Sequence, residues 1–214
     1  MDIQAIRADT PLTASTIYLD TAAASLPPDV VLDAVRAYLL DTGHVGIYLP
    51  AFRKATYARV EAARAQLAGL LGAAADEIAF TKNATESISI VARGIAWQAG
   101  DEVLVADTEM LSNLLPWKRL EQTHGIVVKM VAADAQGLLS PDSFAAAVTP
   151  RTRLLTFSHL PNSTGAVQPA AALCAVARAH GVLSLVNAAQ SVGMLRSDVQ
   201  ALDCDRAFST YAAR

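Results

Sequence analysis

Amide side chains follow two of the apolar runs in this chain, at positions where an α/β protein commonly places its functional groups. Asn187 and Gln190 come after the run Val182–Val186, and Asn162 follows the run Leu154–Ser158. Functional residues of open α/β sheets cluster in loops at the carboxyl ends of the strands, so these amides could hold the polar atoms of a ligand. Each could equally serve its own loop, bonded to the backbone.

Residues 80–87, FTKNATES, place small polar side chains between an apolar run and a predicted helix that begins near Ala84 or Thr85. A helix N-terminus offers free N–H groups and the positive end of the helix dipole, which together favour a phosphate. A capped helix is the alternative, in which Asn83 or Thr85 accepts a hydrogen bond from a backbone N–H. The pattern alone leaves both interpretations open.

Short apolar runs alternate with helical patterns from about Glu102 onward. This alternation is typical of strand-helix-strand units and predicts an α/β fold with a mainly parallel sheet. The runs are nearly continuous in apolar residues, as strands covered by helices on both faces require. The predicted strands are Ile78–Thr81, Glu102–Ala106, Ile126–Val131, Leu154–Ser158 and Val182–Val186.

Apolar residues recur at helical spacing in the first third of the chain. They predict helices over Asp29–Leu40 and Ala51–Leu71, the second of which is ended by Gly72. A Ser-Pro pair at residues 140–141 is typical of an N-cap followed by proline at the first helical position. It predicts a further helix through Ala147.

The composition favours a folded protein whose ligand is a small molecule. The chain has 214 residues, 53% of them hydrophobic, and a mean hydropathy of +0.32, which is ample for a buried core. The net charge is only -3, with scattered Lys and Arg, which argues against nucleic acid and membrane surfaces. With no long apolar run and no signal-peptide pattern, we expect a cytoplasmic protein. Cys174 and Cys204 have no metal or redox spacing and are expected to be structural.

Residues 183–193, LSLVNAAQSVG, carry the most specific pattern of the chain. They resemble the signature of the class V aminotransferase family of pyridoxal 5'-phosphate (PLP) enzymes, which usually reads V-D-x-A-Q. In that family the aspartate pairs with the pyridinium nitrogen of PLP and keeps it protonated, so that the ring can absorb carbanion charge. Asn187 takes that position here, and an amide stabilises the positive charge less well. Gln190 matches the family glutamine that hydrogen-bonds the cofactor oxygen.

Two further segments resemble PLP-binding motifs of the same family. FTKNATES is similar to T-x-G/N-A-T-E, whose Ala-Thr pair binds the phosphate of PLP, and this implies the same role for Ala84 and Thr85, with Asn83 adjacent. Residues 158–165, SHLPNSTG, resemble S-H-x-S-N-x-x-G, whose asparagine contacts the 3'-oxygen of PLP. Asn162 holds that position. His159, beside a predicted strand end, is interpreted as a structural residue.

Residues 109–117, EMLSNLLPW, resemble the family segment E-H-x-A-N-x-x-P-W. There the histidine stacks on the cofactor ring and can move protons, whereas Met110 stands in its place in this chain. Methionine can cover a ring by dispersion and sulfur–aromatic contact, but it cannot act as an acid or a base.

The resemblance also implies a lysine that holds PLP through a Schiff base, shortly after a segment similar to CDRAFSTYAAR at residues 204–214. The lysines of this chain lie in other contexts: they are Lys54, Lys82, Lys118 and Lys129. We therefore expect the lysine directly after Arg214. Arg214 itself would help to hold the phosphate. A replaced lysine, with Ala212 or Ala213 in its position, is the alternative and would make the protein non-catalytic.

The family implies a PLP fold type I large domain, with a C-terminal small domain that is not in this chain. Residues 1–16 would form an N-terminal segment, and residues 17–214 the N-terminal part of the large domain. The implied function is that of a PLP-dependent enzyme acting on an amino acid, either a desulfurase-like C–S lyase or an epimerase-like member. A class V aminotransferase and a non-catalytic partner subunit are the alternatives. The resemblance also implies a homodimer.

Overall fold

The computed structural model of the chain describes residues 2–208, with the backbone alone for Phe208. It divides into two compact units, the first ending at Gly69 and the second beginning at Leu70. The predicted division between residues 16 and 17 is a different boundary, and it stays a prediction.

The first unit is built from helices, which amphipathic spacing and suitable end residues favour. Its α-helices are α1 (Ile3–Ala8), α2 (Asp29–Asp41) and α3 (Pro50–Leu71), which extends into the second unit. The predicted bounds of α2 and α3 are confirmed to within one residue at each end. The helix α3 stops before Gly72, whose φ of +67° is left-handed, and a Cβ there would lie 2.7 Å from Asp198 Oδ1. Glycine meets both requirements.

The second unit contains a five-stranded, wholly parallel sheet in the order β2-β1-β3-β4-β5. The strands are β1 (Glu102–Ala106), β2 (Val127–Val131), β3 (Thr152–Ser158), β4 (Leu183–Asn187) and β5 (Arg206–Phe208). The helices of this unit are α4 (Ala84–Gly94), α5 (Leu115–His124), α6 (Pro141–Ala147), α7 (Ala170–Ala179) and α8 (Val199–Leu202). The predicted α/β class with a mainly parallel sheet is confirmed.

One predicted strand is wrong. Ile78–Thr81 forms no strand in the described structure and connects a 3-10 turn, Ala75–Glu77, to α4. Its Phe80 side chain is 48% exposed, so the segment lacks the cover on both faces that the parallel strands have. Conversely, β5 was not predicted, because three residues beginning with an arginine give too short an apolar pattern.

Side chains alternate between the two faces of the sheet and form two separate cores. Leu104 and Ala106 of β1 pack on one face with Phe144 of α6 and with α7. Val103 and Val105 pack on the other face with α4 and α5. Because successive residues of a strand point to opposite sides, one strand supplies both cores. Helices therefore cover both faces, as predicted. Several buried polar residues, such as Glu102, Ser158 and Asn187, lie at the ends of strands.

Helix starts follow local chemistry in part. Asn83 is the N-cap of α4, and its side-chain oxygen accepts the N–H of Glu86 at 3.0 Å. The predicted helix after residues 140–141 is confirmed as α6, but the Ser140 side chain makes no capping hydrogen bond. Across residues 2–208, we find no helix with both the length and the apolar character needed to cross a bilayer.

Candidate functional site

The carboxyl ends of β1, β3 and β4 meet at one edge of the sheet, which we call the carboxyl edge. Ser158 and Asn187 are register partners on neighbouring strands, and the N–H of His159 donates to the carbonyl of Asn187 at 2.8 Å. The strand β1 ends beside them at Ala106 and leads into the loop that carries Glu109. Parallel pairing thus brings together side chains that are almost 80 residues apart in sequence, such as the 78 between Glu109 and Asn187.

One carboxylate oxygen collects the hydrogen bonds of this edge. Glu109 Oε2 accepts from Asn113 Nδ2 at 2.9 Å, from Ser158 Oγ at 2.9 Å and from Asn187 Nδ2 at 3.3 Å. Asn187 Nδ2 also donates to Ser158 Oγ at 3.0 Å. The acid and the amide are therefore held in one network, which we call the Glu109 network: Glu109, Asn113, Ser158 and Asn187.

The Glu109 network rests on a fully buried base. Asn113, with no exposed surface, donates through Nδ2 to Thr156 Oγ1 at 2.9 Å and accepts the indole N–H of Trp117 at 3.3 Å. Thr156 in turn donates to the carbonyl of Leu185 at 2.9 Å. Each buried polar atom in this base has a partner, and this fixes the network rigidly to β3, β4 and α5.

Glu109 is half-buried, with its Oε1 atom fully shielded from solvent. Desolvation by burial raises the pKa of Glu109, although hydrogen bonds from Asn113, Ser158 and Asn187 act in the opposite direction. Within residues 2–208, Glu109 has no ion-pair partner, and its buried Oε1 has no hydrogen bond. Since Oε2 already accepts three hydrogen bonds, a proton on Glu109 belongs on Oε1.

Hydrogen bonding fixes which way the amide of Asn187 points. Glu109 Oε2 accepts from the side-chain nitrogen, and the N–H of Ala189, which can only donate, lies 3.1 Å from the side-chain oxygen. Both hydrogens of Nδ2 are engaged, one by Glu109 and one by Ser158. Because an amide oxygen has two lone pairs, Asn187 Oδ1 keeps one for a further donor.

The N-terminus of α4 keeps two backbone donors available. The N–H of Glu86 bonds to the Asn83 side chain and that of Ser87 to the Asn83 carbonyl. In the described part of the chain, the N–H groups of Ala84 and Thr85 have no acceptor. Ala84 is buried in the same core as Val105 and Trp117, so this helix end is anchored to β1 and α5.

The other predicted site residues lie on loops of the second unit. Met110 directly follows Glu109 and is 45% exposed. Asn162 is exposed in the loop after β3, and Gln190 is half-buried three residues after the end of β4. The structure thus joins Asn187 to the Glu109 network, whereas the Asn162 side chain makes no hydrogen bond to it within residues 2–208. Arg214, Ala212 and Ala213 lie outside the described residues.

Sequence reasoning missed the acid that organises this edge. The motif at residues 109–117 marks Glu109 only as its first letter, and the sequence patterns assign no role to Ser158, Asn113 and Thr156. The available signal was a set of polar residues within or just after apolar strands, which need partners once buried. His159 is a second polar residue of this kind: among the described residues its buried Nδ1 has no hydrogen-bond partner, and burial lowers the pKa of its ring.

Comparison with known proteins gives the family. The sequence profile described as Aminotransferase class-V matches residues 17–211.

The chain belongs to the class V aminotransferase family.

Relatives in this family carry several reaction names. A probable cysteine desulfurase of Methanothermobacter thermautotrophicus is 38% identical over 211 residues, covering 96% of this chain and 51% of the relative. An isopenicillin N epimerase of Amycolatopsis lactamdurans is 42% identical over 149 residues, covering 67% of this chain and 37% of the relative. The predicted family is therefore confirmed, and both predicted branches, the desulfurase-like and the epimerase-like, occur among its relatives.

A solved structure from the family has the same fold. It is a mutant of the cystine C–S lyase C-DES with glycine covalently linked to the PLP cofactor. The TM-score is 0.89 at 28% identity, covering 95% of this chain and 54% of the C-DES chain. The chain spans about half the length of the curated relatives it matches; for the M. thermautotrophicus desulfurase the share is 51%.

Proposed function

We propose that this chain is the N-terminal part of the large domain of a PLP-dependent enzyme that acts on an amino acid. The reaction is that of a desulfurase-like C–S lyase or an epimerase-like member of the family. The observation that carries the proposal is the carboxyl edge, where a half-buried acid and a buried amide form a network that leaves one carboxylate oxygen and one amide lone pair for a ligand. Support comes from the relatives, which bear the names of desulfurases and an epimerase.

The polar groups of the described residues fit PLP. Its phosphate would accept hydrogen bonds from the free N–H groups of Ala84 and Thr85, where the dipole of α4 favours negative charge. The Asn83 side-chain oxygen is already the helix cap, so Asn83 acts mainly by holding this helix end in shape. Both interpretations of the FTKNATES segment therefore apply, at different residues.

The ring of PLP would face the loops after the strands. Asn187 would meet the ring nitrogen, Asn162 and Gln190 the 3'-oxygen, and Met110 would cover one face by dispersion. PLP, when bound, withdraws electrons from the bond that reacts on the substrate. Because Met110 cannot move a proton, the residue that does so must be another group, and the proposed lysine after Arg214 would serve. Arg214 would support the phosphate.

Three further expectations accompany this proposal. We expect a homodimer, and α2 gives support because Val30, Val35 and Leu39 are each more than half exposed. We expect a small amino-acid substrate, with no nucleic acid and no membrane as partner. A cytoplasmic location likewise remains a prediction. A class V aminotransferase and a non-catalytic partner subunit are the competing functions.

The decisive experiment is a spectrum of the purified full-length protein before and after borohydride reduction, followed by mass spectrometry. A visible band that reduction fixes onto a lysine just after Arg214 would support the enzyme. A protein that binds added PLP without covalent attachment would favour the non-catalytic subunit. No binding of PLP at all would overturn the proposal.

A substitution at the helix end tests the phosphate site. Ala84→Pro removes the N–H at the first position of α4, where proline is tolerated, and the extended backbone of Asn83 suits a following proline. Loss of a hydrogen bond to a charged group should weaken PLP binding by about 10-fold or more. Absorbance titration with PLP gives the affinity.

Val199→Pro is the matched control, because Val199 is the first residue of α8 and also follows an extended residue. We expect unchanged PLP affinity for this variant. Equal affinities for wild type and for folded Ala84→Pro would contradict the assignment of the phosphate to α4.

A further inference from the structure

Two acids near the ends of β1, buried Glu102 and half-buried Glu109, differ in how their charge is compensated. Glu102, the first residue of β1, accepts hydrogen bonds from Thr149 and Thr152 and pairs with Lys129 Nζ at 2.7 Å. Glu109, three residues after the end of β1, accepts three hydrogen bonds from neutral groups and has no cation among the described residues. A buried acid that serves structure alone is ordinarily paired, because an unpaired buried charge is costly. In the part of the chain that the structure describes, Glu109 departs from this pattern.

Glu109, which has no cation beside it among the described residues, contacts Asn187, which is neutral where the family has a negative charge. Asn187 occupies the position at which the family pattern has an aspartate, and its amide is neutral. The amide nitrogen lies 3.3 Å from Glu109 Oε2, and the amide oxygen has a free lone pair. An N–H that bonds to Asn187 Oδ1 would thus face an amide whose other end is polarised by a carboxylate.

We propose that Glu109 is a positioning residue that supplies, through Asn187, the negative charge opposite the cofactor's ring nitrogen. Glu109 and Ser158 hold the Asn187 amide with its oxygen available as an acceptor. The negative charge then lies on Glu109, one hydrogen bond beyond Asn187, and favours the protonated form of the ring nitrogen. This inference rests on the proposed function, since it requires PLP at the carboxyl edge.

Other titratable groups on the surrounding elements do not take this role. Asp107, on the same loop, uses Oδ1 to accept the N–H of Ala133, beyond the end of β2. His159, after β3, has a pKa lowered by burial and adds no positive charge near neutral pH. On α4, Glu86 bonds to the N–H of Lys82 and pairs with its ammonium group at 3.6 Å. The acid bonded directly to Asn187 is Glu109.

The test is the protonation state of the ring nitrogen itself. Full-length protein is loaded with PLP labelled with ¹⁵N in the ring, and the ¹⁵N signal is followed over pH by NMR. The variants are Glu109→Gln, Asn187→Asp and the double variant. Glu109→Gln keeps an oxygen that can accept from Asn187 and removes the charge, with its NH2 group in the position of Oε1. It should lower the midpoint of ring-nitrogen protonation by about 1 to 3 pH units.

Rescue separates charge from shape. In the Glu109→Gln background, Asn187→Asp restores a carboxylate beside the ring nitrogen and should return the midpoint to the wild-type value or above. Glu102→Gln is the matched control, because it removes a buried acid from the other end of β1 and should leave the midpoint unchanged. A ring-nitrogen signal that does not respond to Glu109→Gln would overturn the inference, with PLP still bound. Failure of the wild type to bind PLP would instead overturn the proposed function.

Discussion

The two ends of the parallel strands differ in the partners of their acidic side chains. At the edge where the strands begin, Asp101 pairs with Arg153 at 3.1 Å, and Glu102 pairs with Lys129 at 2.7 Å. At the carboxyl edge, Glu109 is surrounded by hydrogen-bond donors that carry no charge. The acids of the first edge are thus paired with cations, whereas Glu109 has no cation partner within residues 2–208. Under the proposed function, this is the difference between a structural polar cluster and one that receives a ligand.

The pKa shifts of the two glutamates follow from the same difference. Burial raises the pKa of each carboxyl, but at Glu102 the bonds from Lys129, Thr149 and Thr152 outweigh this effect and lower the pKa. At Glu109 burial prevails and the pKa is raised. Lys129 is one of the three residues whose bonds lower the pKa of Glu102, and Glu109 has no such cation among the described residues. Removal of single members from each edge tests the comparison.

The largest effect is expected for Asn113→Ala. This change removes the fully buried amide that joins Glu109, Thr156 and Trp117. It leaves the indole N–H of Trp117 without an acceptor among the described residues and removes one hydrogen bond each from Glu109 and Thr156. We expect a loss of about 3 kcal/mol in the free energy of unfolding, measured with urea. Thr149→Ala at the other edge, near solvent, should cost about 1 kcal/mol. Equal losses in unfolding free energy for the two variants would contradict the expectation that the Asn113 hydrogen bonds contribute more to stability than those of Thr149.

A smaller loss, about 2 kcal/mol at neutral pH, is expected for Glu102→Gln, because the ion pair and two hydroxyl bonds are weakened. The folded-state pKa of Glu102 lies below its unfolded value. The stability from Glu102 is therefore present above the unfolded pKa and is lost as the pH falls through the folded pKa. Urea unfolding of wild type and variant should converge in acid. Curves that stay parallel into acid would disprove the assignment.

The smallest effect, with opposite sign, is expected for Glu109→Gln in protein without PLP. The folded-state pKa of Glu109 lies above its unfolded value, so its contribution to stability is present in acid and is lost as the pH rises through the folded pKa. At neutral pH the neutral glutamine should make the protein more stable by about 1 kcal/mol. The gain should disappear below the unfolded pKa. A variant that is less stable than wild type at every pH would indicate a compensating cation.

Much of the fold could be predicted from the sequence, because apolar periodicity depends on residues that are close in the chain. The strands β1 to β4 and the helices α2 and α3 were recognised in this way. The pattern failed for Ile78–Thr81, since an apolar run does not reveal whether a neighbouring strand covers it. It also failed for β5, whose Arg206–Phe208 is too short to show a period.

The candidate site was predictable only where a motif marks a position. Family patterns led to Ala84, Thr85 and Asn187, and the structure shows what they contact. The role of Glu109 could not be predicted, because it depends on hydrogen bonds to residues 49 and 78 positions away, Ser158 and Asn187. Whether a buried acid has a cation beside it is a property of the folded chain.

The most direct test of the account is the stability of the full-length protein over pH, by urea unfolding, with and without saturating PLP. If the carboxyl edge is completed by the cofactor, PLP should raise the unfolding midpoint. It should also abolish the fall in stability that Glu109 causes as the pH rises, and Glu109→Gln should show no such fall in either condition. A midpoint that PLP does not change would contradict a cofactor site at this edge.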